Sequence, residues 1–200
     1  MTVASKTLRE IVGLDMQPSP LSESALIMID CQNTYRKGVM QLAGVEEALL
    51  EARKLLDMAR ELKVPVFHIR HDAGAGSPYD VSAEIGAISD EVAPVAGEPV
   101  ITKNYPNAFI KTDLDQQLKS AGIQKIVLAG FMTHMCINST AHGGFNLGYA
   151  VTVVASATAT RSLLAANGRT LTAQEVQDGA IASTRDLYAA IADRVADIGP

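Results

Sequence analysis

Five short apolar runs punctuate this chain, and between them the apolar residues change to helical spacing. The runs occupy 25–29 (ALIMI), 65–70 (PVFHIR), 99–102 (PVIT), 126–130 (IVLAG) and 150–155 (AVTVVA). Each has the length of a strand, and Val and Ile are frequent in them. After the first run, Leu49, Leu50, Leu55, Leu56 and Leu62 recur at helical spacing to about Lys63. Gly44 with Glu46 and Glu47 makes an acceptable start, the acids facing the positive end of the helix dipole. Thr112 with Asp115 is a weak capping-box pattern before a helix that stops at Gly122. Another helix runs from Cys136 to about Leu147, stopped by Gly148, and Thr172 with Glu175 is a capping box opening a further one. Between 157 and 172 the chain reads as a Thr/Ala loop. The tail from Asp186 to Ala196 is helical in composition, with 195–198 as an alternative edge strand. Strands alternating with helices imply βαβ units, right-handed crossovers and a mostly parallel sheet, an α/β fold. In open sheets of this kind ligands sit beyond the carboxyl ends of the strands, so the residues leaving each strand are the ones to inspect.

A length of 200 residues suits one α/β domain with a sizeable core, and no repeat, low-complexity segment or linker divides it. Residues 1–22, with Pro18 and Pro20, read as a lead-in along the surface. Trp is absent and aromatics are scarce, so the core must be built from Val, Ile, Leu, Ala and Met. The net charge of −5, with no block of like charges, lacks the basic footprint of a nucleic-acid or anionic-membrane surface. Two cysteines, Cys31 and Cys136, make no disulfide framework, and a reducing cytoplasm is the expected setting. The N-terminus has no apolar h-region, and no apolar run is long enough to span a bilayer. The expected partner is a small molecule rather than nucleic acid or membrane.

Three strand ends carry reactive residue types: Asp30 after the first run, Lys103 after the third and Cys136 beyond the fourth. Each has a bland reading, as a turn residue, a solvated surface charge and a buried structural thiol. Together they are coherent, because all three emerge on one edge of a parallel sheet. A carboxylate can take the proton of a thiol, and an ammonium can hold that carboxylate ionised and favour thiolate. A cysteine where a helix begins also faces free backbone N–H groups, which favour thiolate and can hold an oxyanion. The long irregular stretch 71–98 has the character of a lid or binding loop.

The segments ALIMIDCQNTY, ITKNYPNAF and AGFMTHMCINSTA, in this order and spacing, resemble the isochorismatase-like cysteine hydrolase superfamily. The likeness extends from about Leu26 to Thr172. It implies a three-layer, doubly wound fold, a six-stranded parallel sheet with helices on both faces, and an Asp30–Lys103–Cys136 triad. It also implies a non-proline cis peptide between Phe131 and Met132, with the N–H groups of Met132 and Cys136 forming an oxyanion hole. The pocket would draw on Gln32, Tyr35, Phe109 and Phe131, with His71 and Tyr79 from the long loop. A homo-oligomer, dimer or tetramer, is the family habit. Members that lack the cysteine cleave a vinyl ether, so Cys136 favours hydrolysis of an amide or other C–N bond through a thioester. The alternatives are isochorismatase-type vinyl-ether hydrolysis and a non-catalytic small-molecule binding protein on the same fold.

His68, His71 and Asp72 invite comparison with the zinc-binding nicotinamidase type, but Gly74 stands where its Asp-x-His spacing needs histidine. No metal and no cofactor are expected. Cys31 reads as a buried thiol pointing away from Asp30, and His134 as a pocket-edge or interface residue. Gly74-Ala75-Gly76 is no dinucleotide fingerprint, since the third glycine is missing and no helix opens there. Gly143 and Gly144 fall inside a helix, where each costs about 1 kcal/mol against Ala; close helix–helix or subunit packing is the expected compensation. Many family members have Arg where His142 stands.

Overall fold

The structure is a computed structural model and describes residues 5–200; the first four residues of the lead-in lie outside the described residues. Six strands form one sheet: β1 (Ala25–Ile29), β2 (Val66–His71), β3 (Val100–Lys103), β4 (Lys125–Phe131), β5 (Ala150–Ala159) and β8 (Ala190–Ala192). Their order is β3-β2-β1-β4-β5-β8, and every neighbouring pair is parallel. A small antiparallel hairpin, β6 (Leu163–Leu164) with β7 (Thr170–Leu171), lies outside this sheet, in the segment read from sequence as a loop.

Alternation along the strands builds two apolar layers. Leu26, Met28, Val66, Val127 and Ala129 pack on one face with Leu49, Ala52, Leu55 and Leu56 of helix α2 (Val45–Leu62). Ile27, Ile29, Phe67, Ile69, Ile126 and Leu128 pack on the other. That second layer includes Leu114 and Leu118 of α3 (Leu114–Ser120), Ala141 of α4 (Asn138–Asn146) and Ile181 of α5 (Ala173–Leu187). With both faces covered, the central strands read as continuous apolar runs rather than alternating ones. Among the described residues no helix is long and apolar enough to cross a membrane.

Several sequence expectations need correction. The tail is not helical: α5 ends at Leu187, and Ala190–Ala192 instead takes up the open edge of β5, with Ala190 and Ala192 buried. Ala and Ile fit either element, so the free edge decided. The alternative edge strand at 195–198 is a 3-10 turn over Val195–Asp197. The box at Thr112 is absent, because Thr112 Oγ1 donates to the Ala108 carbonyl at 2.5 Å and Asp113 takes the cap position. Leu50, counted with the helix face, is 59% exposed. The box at Thr172 and Glu175 is present, with both reciprocal bonds formed. The lead-in carries a one-turn helix, α1 (Leu8–Ile11), tied to the end of α5 by Arg9 Nη1 donating to the Leu187 carbonyl at 2.9 Å.

Two local devices hold the sheet together, one near each end of its strands. Gly130 adopts φ +117° where β4 passes β1, and a Cβ there would lie 1.9 Å from the Ile29 carbonyl oxygen. Only glycine permits both the conformation and the approach. Just before β3, Glu98 receives two parallel bonds from Arg60, each 2.8 Å, and also contacts His68 Nε2 at 2.8 Å and the Val95 N–H at 3.0 Å. Partial burial pushes this carboxyl up, but the donors prevail and hold it down to about 2. The cluster stitches α2, β2 and the segment entering β3 together.

Gly130→Ala should cost at least about 3 kcal/mol in urea denaturation, or prevent folding outright. Glu98→Gln should cost about 2 kcal/mol at pH 7. Because the folded carboxyl lies below its unfolded value of about 4.3, its stabilisation is complete above that value and lost as pH falls toward 2. The gap between wild type and Glu98→Gln should therefore close between about pH 4.3 and pH 2. Urea melts across that range check this, and a constant gap would contradict it.

Candidate active site

Three chain segments converge where the strand order reverses, between β1 and β4, the expected ligand position in a doubly wound sheet. Asp30 follows β1 directly and adopts φ +50°, while its N–H stays in the ladder by donating to the Ile69 carbonyl at 2.9 Å. Asp tolerates this left-handed conformation better than most residues. Lys103 is the last residue of β3 and pairs in register with His71, the last residue of β2. Cys136 comes from the segment after β4. The peptide joining Phe131 to Met132 is cis, and Thr133–Ile137 forms one wide turn in which the Ile137 N–H donates to the Met132 carbonyl at 3.2 Å. The helical segment therefore begins three residues before the position read from sequence, and the cysteine sits within its first, expanded turn. Expanded turns of this kind are frequent at functional sites.

The three side chains meet in the interior. Lys103 Nζ lies 2.7 Å from Asp30 Oδ2 and 3.4 Å from Cys136 Sγ. Asp30 and Lys103 are fully buried, and Cys136 is 5% exposed. The Asp30 contact is an ion pair off the angle of a regular hydrogen bond, which leaves acceptor capacity on the carboxylate. Burial pushes the Asp30 carboxyl up, and the Lys103 ammonium pulls it back. Burial also pushes the Cys136 thiol up to about 12, helped by the Asp30 charge and opposed by Lys103. A helix start by itself favours thiolate; here burial opposes it and favours the neutral thiol.

An aromatic wall stands next to this group. The Tyr35 ring meets Phe131 edge-on at 5.7 Å and Tyr79 at 5.8 Å, and Tyr79 meets His71 at 4.9 Å. Phe109 is not part of it. Its ring stacks on Tyr149 at 5.7 Å and touches the Gly144 region near Ile126 and Val151, at the opposite end of the strands. Gln32 is equally unsuited to ligand binding. It is fully buried, accepting from the His71 N–H at 2.8 Å and donating to the carbonyls of His71 at 3.0 Å and Gly86 at 2.7 Å. The stretch 71–98 is not a free flap, because Asn33 N–H donates to Ala87 and Ser89 N–H to Cys31.

The remaining histidines and glycines find structural partners. His68 is spent on Glu98, His134 Nδ1 contacts Thr160 Oγ1 at 2.5 Å, and His142 stacks on Tyr188 of the α4–α5 contact. Cys31 is buried in the layer under α2, and burial pushes its thiol up. Gly143 and Gly144 allow α4 to approach the Asn107 side chain and the sheet at Ile126 and Val151, rather than another helix. Sequence reasoning missed Arg161. Its Nε is buried without an acceptor among the described residues, and its charge acts on both Tyr79 and His134. The 150–155 run stopped short of it, because β5 bulges between the pairs Leu128–Val153 and Gly130–Thr158 and then resumes.

This is a doubly wound α/β architecture with a buried Asp, Lys and Cys gathered at the switch point. An isochorismatase domain model matches residues 24–194, and the chain belongs to the isochorismatase family of hydrolases. A crystal structure of an isochorismatase from Pseudomonas putida superposes with a TM-score of 0.93 at 33% identity, covering 98% of this chain and 100% of that one. A secreted isochorismatase effector of Verticillium dahliae is 32% identical over 158 residues, 78% of this chain and 83% of that protein. A ureidoacrylate amidohydrolase of Stutzerimonas stutzeri is 31% identical over 189 residues, 74% of this chain and 76% of that protein.

A buried thiol raised to about 12 should alkylate slowly at neutral pH and keep accelerating through pH 10. Peptide-resolved iodoacetamide labelling of Cys136 measures this. A plateau near pH 9 would show an ordinary thiol instead.

Proposed function

We propose that this protein is a cysteine hydrolase that cleaves a small amide or related C–N bond, with Cys136 as nucleophile and Asp30 as the proton carrier. The observation that carries the proposal is Lys103 Nζ standing within 2.7 Å of Asp30 and 3.4 Å of Cys136 in a water-poor interior. The kinship with a ureidoacrylate amidohydrolase supports C–N chemistry.

In this reading Asp30 takes the Cys136 proton as the sulfur attacks the substrate carbonyl, so no free thiolate need accumulate. The backbone N–H groups of Met132 and Cys136 hold the oxyanion that forms. Asp30 returns the proton to the leaving nitrogen as the C–N bond breaks, leaving a thioester. Water, losing a proton to the same carboxylate, attacks the thioester, and that proton restores the thiol. Lys103 balances Asp30 in a medium where an unpaired carboxylate would be costly. Tyr35, Phe131 and Tyr79 suit a small apolar or flat group, and the unspent Arg161 donor suits an acceptor on the substrate.

A panel of small amides, ureides and lactams, assayed for ammonia or amine release, tests the proposal. Cys136→Ala should abolish turnover without loss of fold, and Asp30→Asn should lower kcat by about 10²–10⁴-fold. Full amide hydrolysis by Cys136→Ala would refute the scheme. Hydrolysis of isochorismate that survives Cys136→Ala would support vinyl-ether chemistry instead.

A further inference from the structure

Lys103 has a third neighbour that the proposed chemistry does not use. His71 Nδ1 lies 3.2 Å from Lys103 Nζ, so the ammonium has an ion-pair partner in Asp30 Oδ2 and two hydrogen-bond acceptors, Cys136 Sγ and this ring nitrogen. An ammonium has three protons and no lone pair, so His71 must accept, with its own proton on Nε2. Burial and the adjacent Lys103 charge both lower the His71 pKa, which keeps the ring neutral and able to accept. Asp30 and Asp72 act the other way.

The placement of this ring is determined on three sides. The β2–β3 register sets His71 directly beside Lys103. The Gln32 amide grips the His71 backbone at both its N–H and its carbonyl, at 2.8 and 3.0 Å, and is itself anchored to Gly86. Tyr79 packs edge-on against the ring at 4.9 Å. Gln32 lies two residues after Asp30, so the segment that delivers the carboxylate also fixes the histidine.

We infer that His71 is a positioning residue whose Nδ1 takes a Lys103 proton and so holds the ammonium aimed at Asp30 and Cys136. This rests on the proposed role of the Asp30–Lys103–Cys136 group. Without the acceptor, one N–H of a fully buried ammonium would have no partner. That unpaired N–H would be free to pull the ammonium away from Asp30 and Cys136, so it would support neither thiolate nor carboxylate as well.

The test uses iodoacetamide at pH 8.5, with labelling of Cys136 followed by peptide mass spectrometry in wild type, His71→Asn, His71→Leu and Lys103→Met. Asn and Leu have nearly the same shape, but only Asn carries an acceptor at the Nδ1 position. The Leu variant should label Cys136 at least about threefold more slowly, and the Asn variant within about twofold of wild type. Equal rates for Leu and wild type, or an Asn variant as slow as Leu, would overturn the inference. If His71→Leu does not fold by circular dichroism, His71→Gln replaces it, with its acceptor one bond too far, and should be slow in the same way. Lys103→Met should slow labelling about tenfold or more. Unchanged labelling in that variant would remove the proposed role of Lys103 and the inference with it, whereas a slow Met variant beside a fast Leu variant would sink the inference alone.

Discussion

Two opposite charges sealed in the middle of the protein impose the strictest condition on this structure. Asp30 and Lys103 are both fully buried and 2.7 Å apart. Removing either partner from such a pair costs several kcal/mol, because the other charge is left desolvated without compensation. A hydrophobic pair would be cheaper for stability alone, so retaining ions here makes sense as chemistry. The same enclosure raises the Cys136 thiol and makes the sulfur dependent on a neighbouring base. In the proposed reaction, stability and reactivity thus draw on one interaction.

That pair exists only because the backbone brings distant segments within a few ångströms. At the switch point β1 and β4 lie side by side, and Gly130 is the position where their approach leaves no room for a Cβ. Beyond it the wide turn carrying Cys136 projects over the strand ends, while the β5 bulge brings Thr158 and Ala159 alongside Gly130 and Phe131. On the other flank, Gln32 does with its side chain what a further strand residue would do with its backbone, closing β1 onto β2 at His71.

Much of this was legible from residues 25–29, 65–70 and 126–130, since a strand buried on both faces must be apolar along most of its length; the edge run 99–102 read as a strand on residue type alone. Asp30 and Lys103 stood out as charged residues where two such runs end, and Cys136 as a cysteine where a helix begins beyond the fourth. Phe109 and Gln32 were misread because an aromatic or amide near a reactive residue in sequence carries no information about which way its side chain turns. The tail was misread because Ala and Ile satisfy helix and strand alike, and the choice fell to the free edge of β5. Arg161 was invisible because a bulge breaks the period-two pattern that would have led to it.

The sequence by itself determined the α/β class, most strand positions and which reactive residue types stand at the strand ends, because burial and periodicity are written locally in residue type. Only the tertiary structure decided that burial pushes the Cys136 thiol up, that Lys103 has His71 Nδ1 as a further neighbour, and that Phe109 faces the far end of the sheet. Those outcomes depend on distances between segments tens of residues apart and on how completely water is excluded among them. Coulomb and desolvation effects vary steeply with both, and no local pattern encodes either.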